Sequence, residues 1–305
     1  MSSSPALQVQ DLRKSYGKTL ALDGVTLSVE RGEFFGLLGP NGAGKSTLIN
    51  ITAGLVRATG GGVAVLGHDV LRDYRAARKN LGVVPQELVF DPFFNVTDML
   101  RLQAGYYGCG KESWPWIDQL IERLELGEKR RAMMRTLSGG QKRRVLIAQA
   151  LVHKPAVVIL DEPTAGVDVE LRRTLWAFTR ELHAQGHTIV LTTHYLEEAE
   201  DLCQRVAIID RGRLRVVEKT RQLLNRHPFR FLKLKLNGAG LPESLRALVV
   251  SESEGEVELK LDRTRHPVGE VLETLRQAGA RVDDVHTREP TLEDIFVEMT
   301  HEPHA

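Results

Sequence analysis

Gly39, Pro40, Asn41, Gly42, Ala43, Gly44, Lys45, Ser46 and Thr47 form one unbroken run. The spacing of Gly39, Gly44, Lys45 and Ser46 is that of a loop built to cradle phosphates. Glycines let the backbone turn so that successive N–H groups point at phosphate oxygens, and a helix starting from the loop adds its positive end. Lys45 supplies a mobile cation for the β and γ phosphates of a nucleoside triphosphate, and the Ser46 hydroxyl suits Mg2+. A random chain of this length would match the pattern in about 1% of cases, so the flanks matter. Glu33–Leu38 reads as a strand before the loop, and Leu48, Ile51 and Leu55 follow at helical spacing.

Two further segments carry chemistry. Val157–Leu160 is an apolar run that delivers Asp161 and Glu162 to its carboxyl end, where ligands bind in open α/β sheets. Asp161 there would hold Mg2+ through water, and Glu162 would polarise a water for attack on the γ phosphate. Taken alone the segment is an ordinary polar strand end in roughly seven cases of ten; beside the phosphate loop the catalytic reading leads. Leu137, Ser138, Gly139, Gly140 and Gln141 open a helix expected to run to about Val152. A serine and two glycines at a helix start make a second anion site with little side-chain bulk.

The elements that must hold these residues follow from patterning. Leu7–Leu12 and Val25–Glu30 alternate as half-buried strands do, Gly60–Gly62 reads as a turn, and Val63–Leu66 and Leu81–Val84 read as strands. From about Val96 to Arg135 the pattern is helical but broken by glycines and Pro115. Leu171–Gln185 is an amphipathic helix, His187–Thr193 a strand, and Val206–Asp210 with Arg213–Val217 a hairpin about Arg211-Gly212. Strands alternating with helices indicate an α/β fold with a largely parallel sheet. Composition shifts near Asn225–Pro228. Beyond it Phe231–Leu236 and Glu256–Leu261 alternate strictly, Val268–Gln277 is helical, Arg281–His286 extended, and Thr291–Glu298 a helix opened by a Thr291–Asp294 capping box. This is a separate small α+β domain.

Composition sets bounds. Lysine and arginine number 41 against 40 aspartates and glutamates, so no general drive toward nucleic acid or an anionic surface exists. The run Lys142, Arg143 and Arg144 accordingly reads as a solvated helix face. Cys109 and Cys203 lie far apart and read as reduced thiols. Met1–Pro5 has no leader pattern, and no apolar run approaches the ~20 residues that a membrane-spanning helix needs. The chain is expected to be soluble, with any bilayer crossing left to another chain.

Leu137–Gln141, together with the Lys45 loop and Val157–Glu162, resembles the ABC ATPase family over residues 7 to about 220. The resemblance implies a P-loop NTPase core, residues 7–226, with antiparallel β and helical subdomains, the latter about 90–150, followed by the α+β domain at 229–300. It implies ATP and Mg2+ as ligands. Tyr16 matches the aromatic that stacks on adenine, Gln86 the glutamine that contacts Mg2+ and water, and His194 the histidine that contacts the γ phosphate. Ala165–Asp168 matches the loop that crosses to the opposite subunit, with the aspartate kept. The family forms head-to-tail dimers in which ATP lies between the loop of one subunit and Ser138–Gln141 of the other, so one copy holds half-sites. The partners implied are a second copy and a transmembrane permease, no nucleic acid, and a place in the cytoplasm at the inner membrane reached only through that permease.

Glu289–Phe296 is similar to the ending of ATPases serving ABC-2 type exporters of drugs, polysaccharides and nodulation factors, and Asp91–Phe94 with Gln103–Gly108 resembles one branch of that group. Residues 229–300 are as readily a passive appendage as a regulatory one. The family's permease groove lies between the Gln86 loop and the helical subdomain; Leu88, Phe90, Phe93 and Phe94 are its expected lining or, equally, a cap on that subdomain's core. Trp114 and Trp116 are expected to pack the helical subdomain. The competing function is a soluble ABC ATPase of the iron–sulfur assembly type, against which the C-terminal domain and its ending argue.

Overall fold

The computed structural model describes residues 4–301 apart from 239 and 254, with backbone alone at Arg226, Gly238 and His301. Met1–Ser3, part of the stretch read for a leader, lie outside the described residues. Strands β1 (Leu7–Tyr16) and β2 (Thr19–Val29) lead to β3 (Phe34–Leu38), and β3 runs through the glycine loop into helix α1 (Lys45–Thr52). Then follow β4 (Gly60–Val65), β5 (His68–Asp69), α2 (Tyr74–Lys79) and β6 (Leu81–Val84). A helical stretch comprises α3 (Val96–Tyr106), α4 (Trp114–Arg123) and α5 (Gly139–Leu151). The chain returns through β7 (Val157–Asp161), α6 (Val169–Ala184), β8 (Thr188–Thr192), α7 (Leu196–Leu202), β9 (Arg205–Asp210) and β10 (Arg213–Lys219).

Six strands form the central sheet in the order β10-β9-β3-β8-β7-β6. β3, β6, β7, β8 and β9 are parallel, and β10 turns back antiparallel on β9. The burial explains the sequence: β3, β7 and β8 are buried at every residue, which is why they read as continuous apolar runs. Arg211 and Gly212 both take positive φ at the β9–β10 turn, the conformation that suits the twist of a tight hairpin.

A second sheet, β2-β1-β4-β5, is antiparallel. Here the structure corrects the turn expected at Gly60–Gly62, which is the first half of β4 and pairs with Arg13 to Gln10 of β1. A β-bulge between Gln10 and Arg13 brings two backbones together there. A Cβ on Gly61 would lie 2.2 Å from the Asp11 carbonyl, so glycine answers to close approach rather than to chain reversal.

In the helical stretch Leu100, Ile117, Leu120, Ile121 and Leu124 are buried. The Trp116 indole N–H donates to the Leu151 carbonyl at 2.8 Å, tying α4 to α5 as its packing role requires. Trp114 instead lies against the Arg101 guanidinium, 4.0 Å from the ring centre.

The chain divides into two compact units between Lys219 and Thr220, a little before the composition shift. The second unit holds α8 (Thr220–Arg226), β11 (Phe229–Gly238), α9 (Glu243–Arg246), β12 (Val249–Ser253), β13 (Glu256–Asp262), α10 (Val268–Gln277), β14 (Ala280–Arg288) and α11 (Leu292–His301). Its antiparallel sheet has the order β12-β13-β11-β14. Leu232, Leu234, Val257, Leu259 and Leu261 pack with Val271 and Leu275 of α10 in a core of its own. The Asp294 N–H donates to Thr291 Oγ1, and the Thr291 N–H donates to Asp294 Oδ2, the capping box read from the sequence.

Candidate functional site

β3 ends at Leu38, and the glycine loop must then turn hard against β9 and β2. A Cβ on Gly39 would meet the Ile209 carbonyl at 2.3 Å, and one on Gly44, whose φ is +108°, would meet the Ala21 carbonyl at 2.6 Å. Only glycine fits either place. Asn41–Thr47 line a cleft of about 320 Å³ together with Ala21, Gln86 and Glu162. The buried Lys45 ammonium donates to the Gly39 and Pro40 carbonyls at 2.6 and 3.1 Å. Burial pulls its pKa down, while Glu162 and Asp161 hold the charge in place.

β7 and β8 run side by side with Asp161 opposite Thr192. The Thr192 hydroxyl donates to Asp161 Oδ1 at 2.6 Å and accepts the Glu162 N–H at 3.0 Å. One threonine thus sets both acids. Burial pushes the Asp161 carboxyl above its ordinary range, against the Thr192 hydrogen bond and the charges of Lys45 and Arg143. Glu162 has φ +47°, a left-handed backbone that costs a non-glycine residue about 1–3 kcal/mol. Gln86 Nε2 donates to Glu162 Oε2 at 3.0 Å, and His194 Nδ1 lies 3.3 Å from the same oxygen. Gln86, Glu162 and His194 come from loops after three adjacent strands, β6, β7 and β8.

Ser46, Asp161 and Gln86 offer a hydroxyl, a carboxylate and an amide oxygen, hard donors that suit Mg2+, an ion that keeps waters and takes few protein ligands. No group of three or more His, Cys, Asp or Glu residues fit to hold a metal occurs among the described residues.

Other residues singled out in the sequence stand apart from the cleft. Tyr16, at the end of β1, is half exposed with Lys14 Nζ over its ring at 4.6 Å, and it does not line the cleft. Ser138 caps α5: its hydroxyl accepts the Gln141 N–H at 3.3 Å while Gln141 Oε1 accepts the Ser138 N–H at 3.0 Å. With Gly139, which faces open space, and Gly140, where an added Cβ would meet Leu171 Cδ2 at 2.7 Å, they form a helix start that also does not line the cleft. Asp168 caps α6 by accepting the Leu171 N–H at 2.8 Å.

Beside the helical stretch lie two cavities of about 570 and 320 Å³ that share Arg78, Gln103 and Tyr107. Tyr74 and Tyr106 line the first, Leu55, Pro85 and Leu146 the second. None of Leu88, Phe90, Phe93 and Phe94 lines either cavity. Phe93 is 78% exposed, and Phe90 lies under Lys142 Nζ at 4.6 Å. Of the expected groove lining, Leu88 and Phe93 are exposed, while Phe90 and Phe94 are half-buried on either side of the Asp91-Pro92 break.

Sequence reading missed Thr192 and Glu198. Glu198 is a buried carboxylate that accepts the hydroxyls of Thr164 and Thr193 and the Trp176 indole N–H. Nothing in local spacing marks either residue: Thr192 acts across from β8 to the end of β7, and Glu198 of α7 gathers groups from α6 and two loops.

The ABC transporter family profile matches residues 22–165, and a profile described as "ATP-binding protein DrrA1-3-like, C-terminal domain" matches residues 217–300. The chain is 36% identical to the Nod factor export ATP-binding protein I of Ralstonia nicotianae, over 98% of this chain and 95% of that protein. It belongs to the ATP-binding subunits of ABC transporters. Two other ABC relatives are the linearmycin resistance ATP-binding protein LnrL of Bacillus subtilis, at 34% identity over 96% of this chain and 98% of that one, and the daunorubicin resistance ATP-binding protein DrrA3 of Streptomyces coeruleorubidus, at 35% over 97% and 96%. A solved ATP-binding subunit of an ABC transporter superposes with a TM-score of 0.68 at 29% identity, covering 72% of this chain and 92% of that one. An ABC cassette dimer bound to ADP and Pi superposes at 0.65 with 26% identity, covering 70% and 98%. The family resemblance and the fold expected from the motifs are borne out, and as an ABC cassette the chain binds and hydrolyses ATP.

Proposed function

We propose that this chain is the ATP-driven motor of an exporter of the drug or nodulation-factor kind, working on a separate permease. The observation that carries the reading is the convergence of Gln86 and His194 on one oxygen of Glu162, beside the Lys45 loop. Lys45 and the loop N–H groups bind the β and γ phosphates, where charge-assisted hydrogen bonds are strong. Glu162 takes the proton of the attacking water, Gln86 orients the carboxylate and the water, and His194 contacts the γ phosphate. Ser46, Asp161 and Gln86 would hold Mg2+, which would supply charge neutralisation at the phosphates. Tyr16 stacks on adenine. Ser138–Gln141 face the nucleotide of a second copy, so that two chains complete two sites.

No helix among the described residues is long and apolar enough to cross a membrane, which leaves force to pass through a protein contact. The cavity pair around Tyr107 receives a short helix of the permease, and the chain sits in the cytoplasm at the inner membrane. The export direction rests on three relatives named for export or drug resistance that match nearly end to end. The same C-terminal match disfavours the iron–sulfur assembly alternative. Isolation of the native complex tests the reading. A co-purifying subunit with about six apolar segments of bilayer length is expected; recovery of a wholly non-membrane complex refutes it.

A further inference from the structure

Arg143 is not on the solvated helix face expected of the run Lys142–Arg144; it is 4% exposed. From α5 its Nη1 donates to the Pro85 carbonyl and its Nη2 to the Gln86 carbonyl, both at 2.7 Å. Pro85 and Gln86 leave the end of β6, and the Gln86 side chain donates to Glu162 Oε2 at 3.0 Å. One guanidinium on the helix headed by Ser138–Gln141 therefore grips two consecutive carbonyls of the loop that reaches Glu162. A planar fork can hold two acceptors in fixed relation, whereas an ammonium is a point charge. Burial disfavours the charge on Arg143, and the nearby Asp161 and Glu162 carboxylates sustain it. Pro85 also lines the smaller cavity, together with Leu146 one turn further along α5. The grip thus lies between that cavity and the nucleotide cleft.

We propose that Arg143 is a positioning residue for ATP hydrolysis, pinning the Pro85–Gln86 backbone to α5 so that Gln86 meets Glu162 only while that helix is in register. The proposal rests on the hydrolytic reading of Gln86 and Glu162 given above. A contact made through Gln86 differs from a merely structural one in two measurable ways. It changes kcat without changing ATP affinity, and its effect vanishes once Gln86 is gone.

The experiment is a double-mutant cycle on the full chain, with kcat, KM for ATP and melting temperature measured for each member. Arg143→Lys is expected to lower kcat about tenfold or more, because small misplacements at a reacting centre are costly. KM stays within about twofold. In a Gln86→Ala background Arg143→Lys brings no further loss. Arg144→Lys is the control: Arg144 pairs with Glu125 at 2.8 Å, and wild-type turnover is expected. Wild-type kcat in Arg143→Lys overturns the proposal, as does an equal loss with and without Gln86, or a parallel fall in affinity and melting temperature. Wild-type turnover in Gln86→Ala alone overturns the role of Gln86 itself and this proposal with it; a slow Gln86→Ala beside a normal Arg143→Lys overturns only the proposal. Should Arg143→Lys fail to fold, Arg143→Gln, a shorter neutral side chain that releases both carbonyls, runs the same cycle. Failure of both to fold while Gln86→Ala folds makes Arg143 a core residue and ends the idea.

Discussion

Two side chains, Gln86 and His194, converge on Glu162 Oε2, and the residue's own backbone is held left-handed. Replacing Glu162 with Gln keeps the shape and removes the basicity, so hydrolysis is expected to slow by ~10²–10⁴-fold with ATP still bound. An ATP-trapped dimer should then appear by size-exclusion chromatography; unchanged turnover would assign the water to another residue. His194→Ala is expected to impair hydrolysis and to spare ADP affinity, since its proposed contact is to the γ phosphate. Titration of ADP and ATP in parallel checks this, and a comparable loss for both would remove that role. Lys45→Ala should abolish nucleotide binding, because the ammonium is the one side-chain cation lining the cleft among the described residues. Lys45 and Glu162 were legible in the sequence because each sits in a contiguous motif, and His194 through the family resemblance and its place after an apolar strand. Thr192, Glu198 and Arg143 were not, since their partners lie on other strands and helices and no spacing encodes them.

His153, just after α5, shows how one element responds to acid. Its ring stacks on Tyr107 with centres 3.6 Å apart, and its Nε2 meets the Leu81 carbonyl at 3.1 Å. Nδ1 has no hydrogen-bond partner among the described residues. Burial lowers the pKa from 6.5 to about 4. The unfolded chain therefore binds this proton more readily than the folded one between those values, so folded stability falls as pH drops from 6.5 toward 4. The loss reaches about 3 kcal/mol at most. Denaturant titrations at pH 7 and pH 5 should show a smaller difference for His153→Phe than for the wild type, and equal differences would deny the linkage. Most elements were readable because buried parallel strands and amphipathic helices carry strong periodicity. Gly60–Gly62 misled, because a glycine needed for close backbone approach at a bulge looks in sequence like one needed for a turn.

At the scale of the whole chain, division at Lys219 and a separate core in the second unit predict that residues 1–219 fold and bind ATP alone. Circular dichroism and a fluorescent nucleotide would check this, and aggregation of the fragment would mean the two units need each other to fold. The composition shift announced a second unit, but α8 shares the polar character of what precedes it, so the boundary itself was less visible. β14 is an edge strand of nine residues, flanked on one side by β11. A bare edge of that length recruits other strands. Here Arg281, Asp283, Asp284 and Arg288 are exposed along it, and a bulge breaks its register opposite Lys235 and Leu236. A C-terminal fragment cut loose by a protease therefore carries its own protection against seeding fibres, and it should keep for days at high concentration without binding an amyloid dye.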